Sequence, residues 1–276
     1  MQWTDASGTI IKDLKFGDRD ETGYDLYIPS GLDKEQNQSL ILFIHGGGFT
    51  GGDKADEDIW CKFFASKGYI TASVNYTLKD GRHDSNINLM DEEILACVEA
   101  VKEECSSQGY CLTEMALSGQ SAGGCLSMLY AYKYADTSPI PVKFVFQQTG
   151  PANFAPELWG NADGASKAAF VAMMTGQGVT EKMIEDGSYR KLVDDISPSA
   201  FVNAETVPTL CAYGPKDKVV PVEIKYRLFE QFDQYGVTYE FIEYPNSGHG
   251  LLKDPDKQQE FIDKALEYCN LYFENK

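Results

Sequence analysis

The sequence has too few basic residues and too little continuous apolar sequence for two large classes of function. Its 24 lysines and arginines are outnumbered by 42 aspartates and glutamates, which gives a formal net charge of −18 at pH 7. Proteins that bind nucleic acid or an anionic membrane surface need basic side chains to neutralise phosphates, so this charge argues against both partners. No apolar run approaches the roughly 20 residues of a membrane-spanning helix.

Signals for metal binding and for secretion are also missing. The seven cysteines are odd in number, and none belongs to a Cys-x-x-Cys pair or a Cys/His cluster, so we expect no metal and no organic cofactor. Several cysteines lie in apolar segments, which fits a reducing compartment. The N-terminal segment MQWTDASGTI lacks the features of a signal peptide, so we expect a cytoplasmic protein. A secreted protein whose signal had been removed would look the same.

Strand and helix patterns alternate along a single predicted domain, residues 1–276. Two early segments, TIIKDLKFG and YDLYIP, alternate apolar and polar residues and predict antiparallel strands with one face in water. Six later apolar runs predict parallel strands covered on both faces: LILFIHG, YITASVNY, EMALSGQ, VKFVFQQTG, TLCAYG and TYEFIEYP. Amphipathic helices are predicted between them, including EDIWCKFFASKG and NLMDEEILACVEAVKEECSSQG. The pattern therefore predicts an α/β fold with an eight-stranded, mostly parallel sheet flanked by helices.

A long insert separates two of the predicted strands. Residues 151–205 are too many for a simple crossover, and their sequence predicts a few short helices. In an α/β protein, a segment that follows the carboxyl end of a strand lies over the ligand crevice. We therefore interpret the insert as a lid or cap. The alternative is a helical decoration that contacts no ligand.

The strongest chemical signal is the sequence GQSAG at residues 119–123. It follows the predicted strand EMALSG and precedes the helical run AGGCLSMLYAYKYA. This is the placement of a nucleophile elbow, a tight turn that exposes the serine hydroxyl and needs small flanking residues. The helix N-terminus, starting with the amide of Ala122, would favour a developing oxyanion. The motif predicts Ser121 as a nucleophile.

A second signal is the glycine run HGGGF at residues 45–49, at the end of the strand LILFIHG. Glycines let the backbone approach a ligand closely, and we predict that the amides of Gly47 and Gly48 join that of Ala122 in an oxyanion hole. No Gly-Lys-Ser/Thr sequence follows, so a phosphate-binding loop is not supported. His45 is predicted to be a structural hydrogen-bonding residue.

A serine nucleophile needs a base and an acid. His249 lies in the loop YPNSGHG after the last predicted strand, which suits the chain order serine, acid, histidine. His83, in contrast, lies in a polar loop. Asp217 lies in the turn GPKDKVVP after the strand TLCAYG, and its carboxylate would orient the histidine and stabilise the imidazolium. Asp194 and Asp195 in the insert are the alternative acids.

Together these motifs resemble the α/β-hydrolase superfamily, in particular its feruloyl-esterase-like, acetyl-xylan-esterase-like and hormone-sensitive-lipase-like branches. The matching motifs are HGGGF with Gly-Asp-Lys at residues 52–54, GQSAGG, GPKDKVVP and NSGHG. The resemblance implies an α/β-hydrolase fold and a serine carboxylesterase that acts on short-chain or aromatic acyl esters, including acyl groups on carbohydrate. It also implies that Asp53 and Lys54 tether the oxyanion loop.

The substrate contacts are less sharply defined by the sequence. Apolar residues of the insert are predicted to line an acyl pocket, although such residues are more often core: Phe154, Trp159, Met173 and Met174. Phe49 and Gln120, beside the glycine run and the serine, are predicted as further contacts. The expected partner is a small-molecule ester, with no nucleic acid and no membrane. The sequence leaves a homodimer open.

Two other functions fit parts of the pattern. An amidase such as an arylformamidase, or a peptidase, would use the same three residues. A non-catalytic ligand-binding protein could also be built on this fold, but such proteins usually lose the nucleophile or the base, and both residue types are present here.

Overall fold

One mixed sheet of eight strands runs through the residues that the computed structural model describes, 3–4, 6–135 and 137–274. Met1, Gln2 and Asp5 of the N-terminal segment discussed above lie outside them. The strands are β1 (Gly8–Lys15), β2 (Gly23–Pro29), β3 (Asn37–Ile44), β4 (Ile70–Val74), β5 (Cys111–Gln120), β6 (Val142–Gln148), β7 (Thr209–Tyr213) and β8 (Tyr239–Glu243).

The spatial order of the strands is β1-β2-β4-β3-β5-β6-β7-β8. Strand β2 is antiparallel to both of its neighbours, whereas all pairs from β4–β3 to β7–β8 are parallel. The predicted eight-stranded, mostly parallel sheet is confirmed.

Helices cover both faces of this sheet. Side chains of β3 alternate between two cores: Phe43 belongs to the core that contains Phe64 and Phe261, and Leu42 belongs to the core that contains Leu126. None of the described helices combines the length and apolarity needed to span a bilayer. The helices are α1 (Asp58–Ala65), α2 (Ile87–Ser107), α3 (Ala122–Lys133), α4 (Gly164–Thr175), α5 (Glu181–Asp186), α6 (Arg190–Asp194), α7 (Glu223–Tyr235) and α8 (Pro255–Tyr272).

The predicted helix patterns explain how these elements pack. Helix α2 is capped by Asn86, whose side chain accepts a hydrogen bond from the amide of Leu89 at 3.1 Å. Its apolar stripe, which includes Met90, Ile94 and Cys97, is fully buried. Helices α2, α3 and α7 contribute to one core, and α1 and α8 contribute to the other.

The winding of the sheet reverses at β3. From β3 the chain crosses through α1 to β4 on one side, and from β4 it returns through α2 to β5 on the other side. Loops that leave neighbouring parallel strands in opposite directions open a crevice at the carboxyl ends of those strands. The HGGGF loop follows β3, and the GQSAG turn follows β5, so the fold brings these two motifs to the same crevice.

The insert over residues 151–205 does fold into short helices. It contains the 3₁₀ turn Pro156–Leu158, helices α4, α5 and α6, and the 3₁₀ turn Pro198–Ala200. Aromatic rings link it to the HGGGF loop, since the ring centroids of Phe49 and Phe154 lie 6.0 Å apart.

The prediction that β2 has one face in water is wrong. Every residue of β2 is buried, including Asp25, whose side chain is 1% exposed. The carboxylate of Asp25 is tolerated there because it lies 2.7 Å from Nζ of Lys12 and 2.8 Å from Nζ of Lys54. It also accepts a hydrogen bond from the amide of Asp13 at 2.9 Å. An alternating pattern could not distinguish this paired charge from a solvated one.

Replacing Asp25 by alanine is expected to lower the free energy of unfolding by about 3 kcal/mol, because the largely buried charge of Lys54 would keep only the exposed carboxylate of Asp13 as its partner. Urea unfolding followed by circular dichroism measures the change. The matched control is Asp195→Ala, which breaks the exposed pair with Lys191. It should cost less than about 1 kcal/mol. Equal losses in the two variants would contradict a structural role for the buried charge cluster.

Candidate active site

Ser121 occupies a strained turn between β5 and α3. Its backbone has φ 56° and ψ −121°, a region that a residue with a side chain rarely adopts. Such strain costs on the order of 1–3 kcal/mol and persists only where neighbouring contacts enforce it. Here the Ser121 amide donates to the carbonyl of Gln148 at 2.8 Å, and the Ser121 carbonyl accepts from the amide of Cys125 at 3.0 Å.

The glycines on either side of Ser121 are required by close backbone approach. A Cβ atom on Gly119 would lie 2.5 Å from the carbonyl carbon of Gly123. A Cβ on Gly123 would lie 1.9 Å from the carbonyl oxygen of Ile44 in β3. The tight turn therefore forms only because the strand, the helix and the neighbouring strand meet without side chains between them.

The structure brings Ser121, His249 and Asp217 into one hydrogen-bonded row. Nε2 of His249 lies 2.8 Å from Oγ of Ser121, and Nδ1 lies 2.8 Å from Oδ2 of Asp217. With its proton on Nδ1, the imidazole donates to Asp217 and accepts the serine hydroxyl proton at Nε2. Of the alternative acids, Asp194 ends α6 and Asp195 follows it, and Asp195 pairs with Lys191 in the insert.

Hydrogen bonds keep the Asp217 carboxylate ionised although its side chain is only 2% exposed. Burial acts to raise the pKa of Asp217. The hydrogen bond with His249 and those from the amides of Val219, at 2.8 Å, and Val220, at 3.0 Å, lower it. Together they outweigh burial, so the pKa of Asp217 lies below its ordinary value. A charged carboxylate in this position can hold the histidine tautomer and stabilise an imidazolium.

Two loops must meet closely to bring the acid to the histidine. A Cβ on Gly214, at the start of the acid turn, would lie 2.4 Å from the carbonyl oxygen of Ser247 in the histidine loop. The histidine loop is itself fastened by Asp254, which accepts hydrogen bonds from Oγ of Ser247 at 2.6 Å and Nδ2 of Asn246 at 2.8 Å. Sequence analysis missed Asp254. Its only signal is an acidic residue soon after the histidine.

The glycine run folds back beside the nucleophile. A Cβ on Gly46 would lie 3.6 Å from Cβ of Ser121. The carbonyl of Gly47 accepts from the amides of Thr50 and Gly51, both at 3.1 Å, which closes a tight turn. Gly47 has φ 113° and Gly48 has φ 61°, so both use left-handed backbone conformations. Neither amide is bonded to an acceptor among the described residues.

His45 supports this loop from behind. Its ring stacks on Tyr76 with centroids 4.3 Å apart and an interplanar angle of 12°, and the Tyr76 hydroxyl donates to the His45 carbonyl at 2.9 Å. Nδ1 of His45 lies 2.7 Å from the carbonyl of Gly46. Burial lowers the pKa of His45, so the ring is neutral and donates this hydrogen bond.

The Gly-Asp-Lys segment is tied to its surroundings by polar contacts. Asp53 caps the following 3₁₀ turn by accepting the amide of Ala55 at 2.8 Å, and it accepts from Nδ2 of Asn75 at 3.0 Å. Oδ1 of Asn75 accepts the amide of Lys54 at 2.6 Å, and Nζ of Lys54 reaches the buried Asp25. Sequence analysis missed Asn75, whose only signal is its position directly after β4.

The predicted substrate contacts differ in their exposure. Phe154 is fully buried and stacks on Trp159 with centroids 5.7 Å apart, so it has no surface free for a ligand in this conformation. Met173 is 44% exposed, whereas Met174 packs against the core. Gln120 is half-buried, with Nε2 3.5 Å from the carbonyl of His249. Their roles as substrate contacts stay predictions.

The described residues contain no group of three or more His, Cys, Asp or Glu side chains arranged to hold a metal ion. All seven cysteines are free, and Cys111 is the exposed one.

Comparison with known families shows which family the chain belongs to. The family model BD-FAE matches residues 24–232. The chain belongs to the BD-FAE family. The match covers the HGGGF loop, the GQSAG turn and Asp217, whereas His249 lies beyond its end.

Two curated proteins illustrate the range of relatives of this BD-FAE member. Chlorogenic acid esterase of Aspergillus niger is 30% identical over 149 residues, which cover 50% of this chain and 27% of that protein. Dipeptidyl-peptidase 5 of Aspergillus fumigatus is 24% identical over 256 residues, which cover 88% of this chain and 33% of that protein. The chain thus spans about a third or less of the length of these relatives.

Solved structures share this fold at low sequence identity. A truncated carbohydrate esterase from gut microbiota superposes with a TM-score of 0.78 at 19% identity, covering 96% of this chain and 97% of that chain. Together with the BD-FAE match, this likeness confirms the α/β-hydrolase fold and the feruloyl-esterase-like resemblance predicted from the motifs.

Asp217→Asn is expected to flatten the acidic part of the stability profile. Because the pKa of Asp217 is lowered in the folded protein, its ionised form stabilises the fold above its ordinary pKa. That contribution is lost as the pH falls through the folded-state pKa. Wild-type stability should therefore fall more steeply than that of the variant below about pH 5.

Urea unfolding at a series of acidic pH values measures this difference. The control Asp84→Asn removes an exposed carboxylate and should follow the wild-type curve. A variant at position 217 that kept the full wild-type slope would show that the hydrogen bonds to this carboxylate are not formed in solution.

Proposed function

We propose that this protein is a serine carboxylic ester hydrolase that acts on short-chain or aromatic acyl esters through an acyl-enzyme. The observation that carries the proposal is the row Ser121, His249 and Asp217, with both hydrogen bonds at 2.8 Å. Membership of the BD-FAE family and the relatives described as esterases support it.

The first half of the reaction forms the acyl-enzyme. His249 takes the hydroxyl proton of Ser121 at Nε2 as Oγ attacks the ester carbonyl, and Asp217 stabilises the resulting imidazolium. The carbonyl oxygen becomes an oxyanion, for which the amides of Gly47, Gly48 and Ala122 are the proposed donors. Such donors are worth roughly 3–4 kcal/mol each in related chemistry. When the intermediate collapses, the ester C–O bond breaks and His249 gives its proton to the leaving alcohol.

The second half repeats these steps with water. His249 takes a proton from water as its oxygen attacks the acyl-enzyme, and the collapse of the second intermediate returns the proton to Oγ of Ser121. The products are a carboxylic acid and the free enzyme. Every proton in this cycle moves through the imidazole of His249, so the scheme needs no further acid or base.

The proposed acyl specificity rests on the insert. Phe49 of the glycine loop contacts Phe154, which stacks on Trp159. The ring centroids of Trp159 and Phe170 of α4 are 5.3 Å apart. This row of rings couples the oxyanion loop to residues 151–205, which we propose act as a lid that selects short-chain or aromatic acyl groups. A panel of acetyl, butyryl, octanoyl and feruloyl esters assayed side by side tests the preference. Highest activity on the octanoyl ester would contradict it.

Ser121→Ala and His249→Ala are each expected to lower kcat/KM for p-nitrophenyl acetate by roughly 10⁴-fold or more. The first variant lacks the proposed nucleophile, and the second lacks the proposed base. Ser106→Ala, on the exposed side of α2, and His83→Ala, in a surface loop, are the matched controls and should retain wild-type turnover. Circular dichroism checks that all four variants fold. Near-normal turnover by pure Ser121→Ala protein would overturn the assignment.

A peptidase or amidase is the second candidate, and one observation favours it: the similarity to dipeptidyl-peptidase 5 extends over 88% of this chain. Comparing hydrolysis of p-nitrophenyl acetate with that of p-nitroacetanilide separates the two functions. A ratio in favour of the anilide would replace the esterase proposal. Failure of a fluorophosphonate to label Ser121 would indicate a non-catalytic protein instead.

The two central glycines of the loop are expected to respond differently to alanine. A Cβ on Gly47 would lie 2.1 Å from the carbonyl oxygen of Gly51, so Gly47→Ala must displace the loop. We expect kcat to fall at least about 100-fold, as when an oxyanion donor is removed. A Cβ on Gly48 meets no atom within 4 Å, so Gly48→Ala adds only the strain of a side chain at φ 61° and should lose much less. Steady-state kinetics on the same ester measure both, and equal effects would argue against a donor role for this turn.

A further inference from the structure

A cavity of about 300 Å³ is lined by residues of α1, α8 and the glycine loop. Its floor is formed by Phe43 of β3 and Phe146 of β6, and its walls carry the rings of Trp60, Phe64 and Phe261. This volume is at the lower end of the range for small-molecule sites. Neither Ser121 nor His249 lines the cavity, although Gly47 and Gln120 of the proposed ester site do, so the cavity adjoins that site.

A buried carboxylate faces this cavity without a partner. The side chain of Glu57, which ends the 3₁₀ turn before α1, lines the cavity, and the residue is only 9% exposed. It forms neither a hydrogen bond nor an ion pair with any described residue, unlike the buried Asp25, Asp217 and Asp254. Removing a carboxylate from water without compensation is costly, so an unpaired one is unusual.

The charges around Glu57 are negative or neutral. Asp56 also lines the cavity. Burial raises the pKa values of Cys61 and Tyr76, and the nearby Glu57 adds to this effect. No lysine, arginine or histidine is among the lining residues. Burial, with a smaller contribution from Asp56, raises the pKa of Glu57 to about 7. The group is therefore ionised in mildly alkaline solution, where it has no countercharge from the protein.

We propose that this cavity binds a small organic ammonium ion, with the nitrogen against the Glu57 carboxylate and the apolar body among the aromatic rings. Aromatic faces attract cations through their quadrupole, and the attraction is stronger where water is excluded. An anion would be repelled by two carboxyl groups. A neutral ligand would leave the Glu57 charge unpaired. The net charge of −18 further favours cations near the surface.

The site is distinct from the proposed esterase function but adjoins it. Gly46 and Gly47 of the glycine loop and Gln120 beside the nucleophile also line the cavity. A bound cation would therefore contact the same glycine loop that lies beside Ser121. Binding itself needs no catalytic activity, so it can be tested in the Ser121→Ala protein as well as in the wild type.

Isothermal titration at pH 8 with benzyltrimethylammonium tests the proposal, with benzyl alcohol as a neutral probe of similar body. We expect one cation to bind per chain, at least about tenfold more tightly than the alcohol. Glu57→Gln keeps the size of the side chain and removes its charge, so it should weaken binding of the cation about tenfold or more. Glu99→Gln removes an exposed charge from α2 and should bind as the wild type does.

The pH dependence and a second variant complete the test. Because Glu57 ionises around pH 7, the cation should bind more tightly at pH 8 than at pH 6 in the wild type. This dependence should be absent in Glu57→Gln. Ile262→Phe keeps Glu57 but adds a ring to the cavity wall, and it should abolish binding even if Glu57→Gln fails to fold. Equal affinity for the cation and the alcohol, unchanged binding in either variant, or no binding to the wild type would each overturn the proposal.

Discussion

The active-site geometry depends on one contact without side chains, where the start of α3 passes against the end of β3. Gly123 approaches the carbonyl of Ile44 so closely that a single Cβ atom would be only 1.9 Å from its oxygen. This contact fixes the turn that holds Ser121 in its strained conformation. It also sets the distance from the nucleophile to the glycine loop, because that loop begins at the residue after Ile44. The two halves of the proposed catalytic apparatus therefore share one backbone contact.

Hydrogen-bonded carboxylates fix the loops around this contact. Asp25 binds two lysines, Asp53 joins the glycine loop to Asn75, and Asp254 closes the histidine loop on itself. Each accepts hydrogen bonds from a neighbouring segment or from its own loop, and so holds that loop in place. Glu57 is buried like Asp25 and Asp254 but lacks such donors, which is why it suggests a ligand instead of a structural role.

Patterns local in sequence were enough to predict the strands, the short helices of the insert and the position of the serine turn. Their physical basis is short-range: alternation along a strand, periodicity along a helix, and glycines at a tight turn. Asn75, Asp254 and the buried face of β2 were not predicted, because their roles depend on groups brought from distant segments by the sheet. The same holds for Glu57, whose sequence surroundings are those of an ordinary charged helix start.

The proposed reacting groups come from unequally protected parts of the sheet. Ser121 follows β5, a strand paired on both sides in the middle of the sheet, whereas His249 follows β8, which pairs on one side only and is partly exposed. Edge elements open with less free energy than central ones. Departure of the histidine loop would leave the serine turn and the glycine loop in place. Local opening of β8 and the histidine loop would therefore be enough to stop turnover reversibly, without global unfolding.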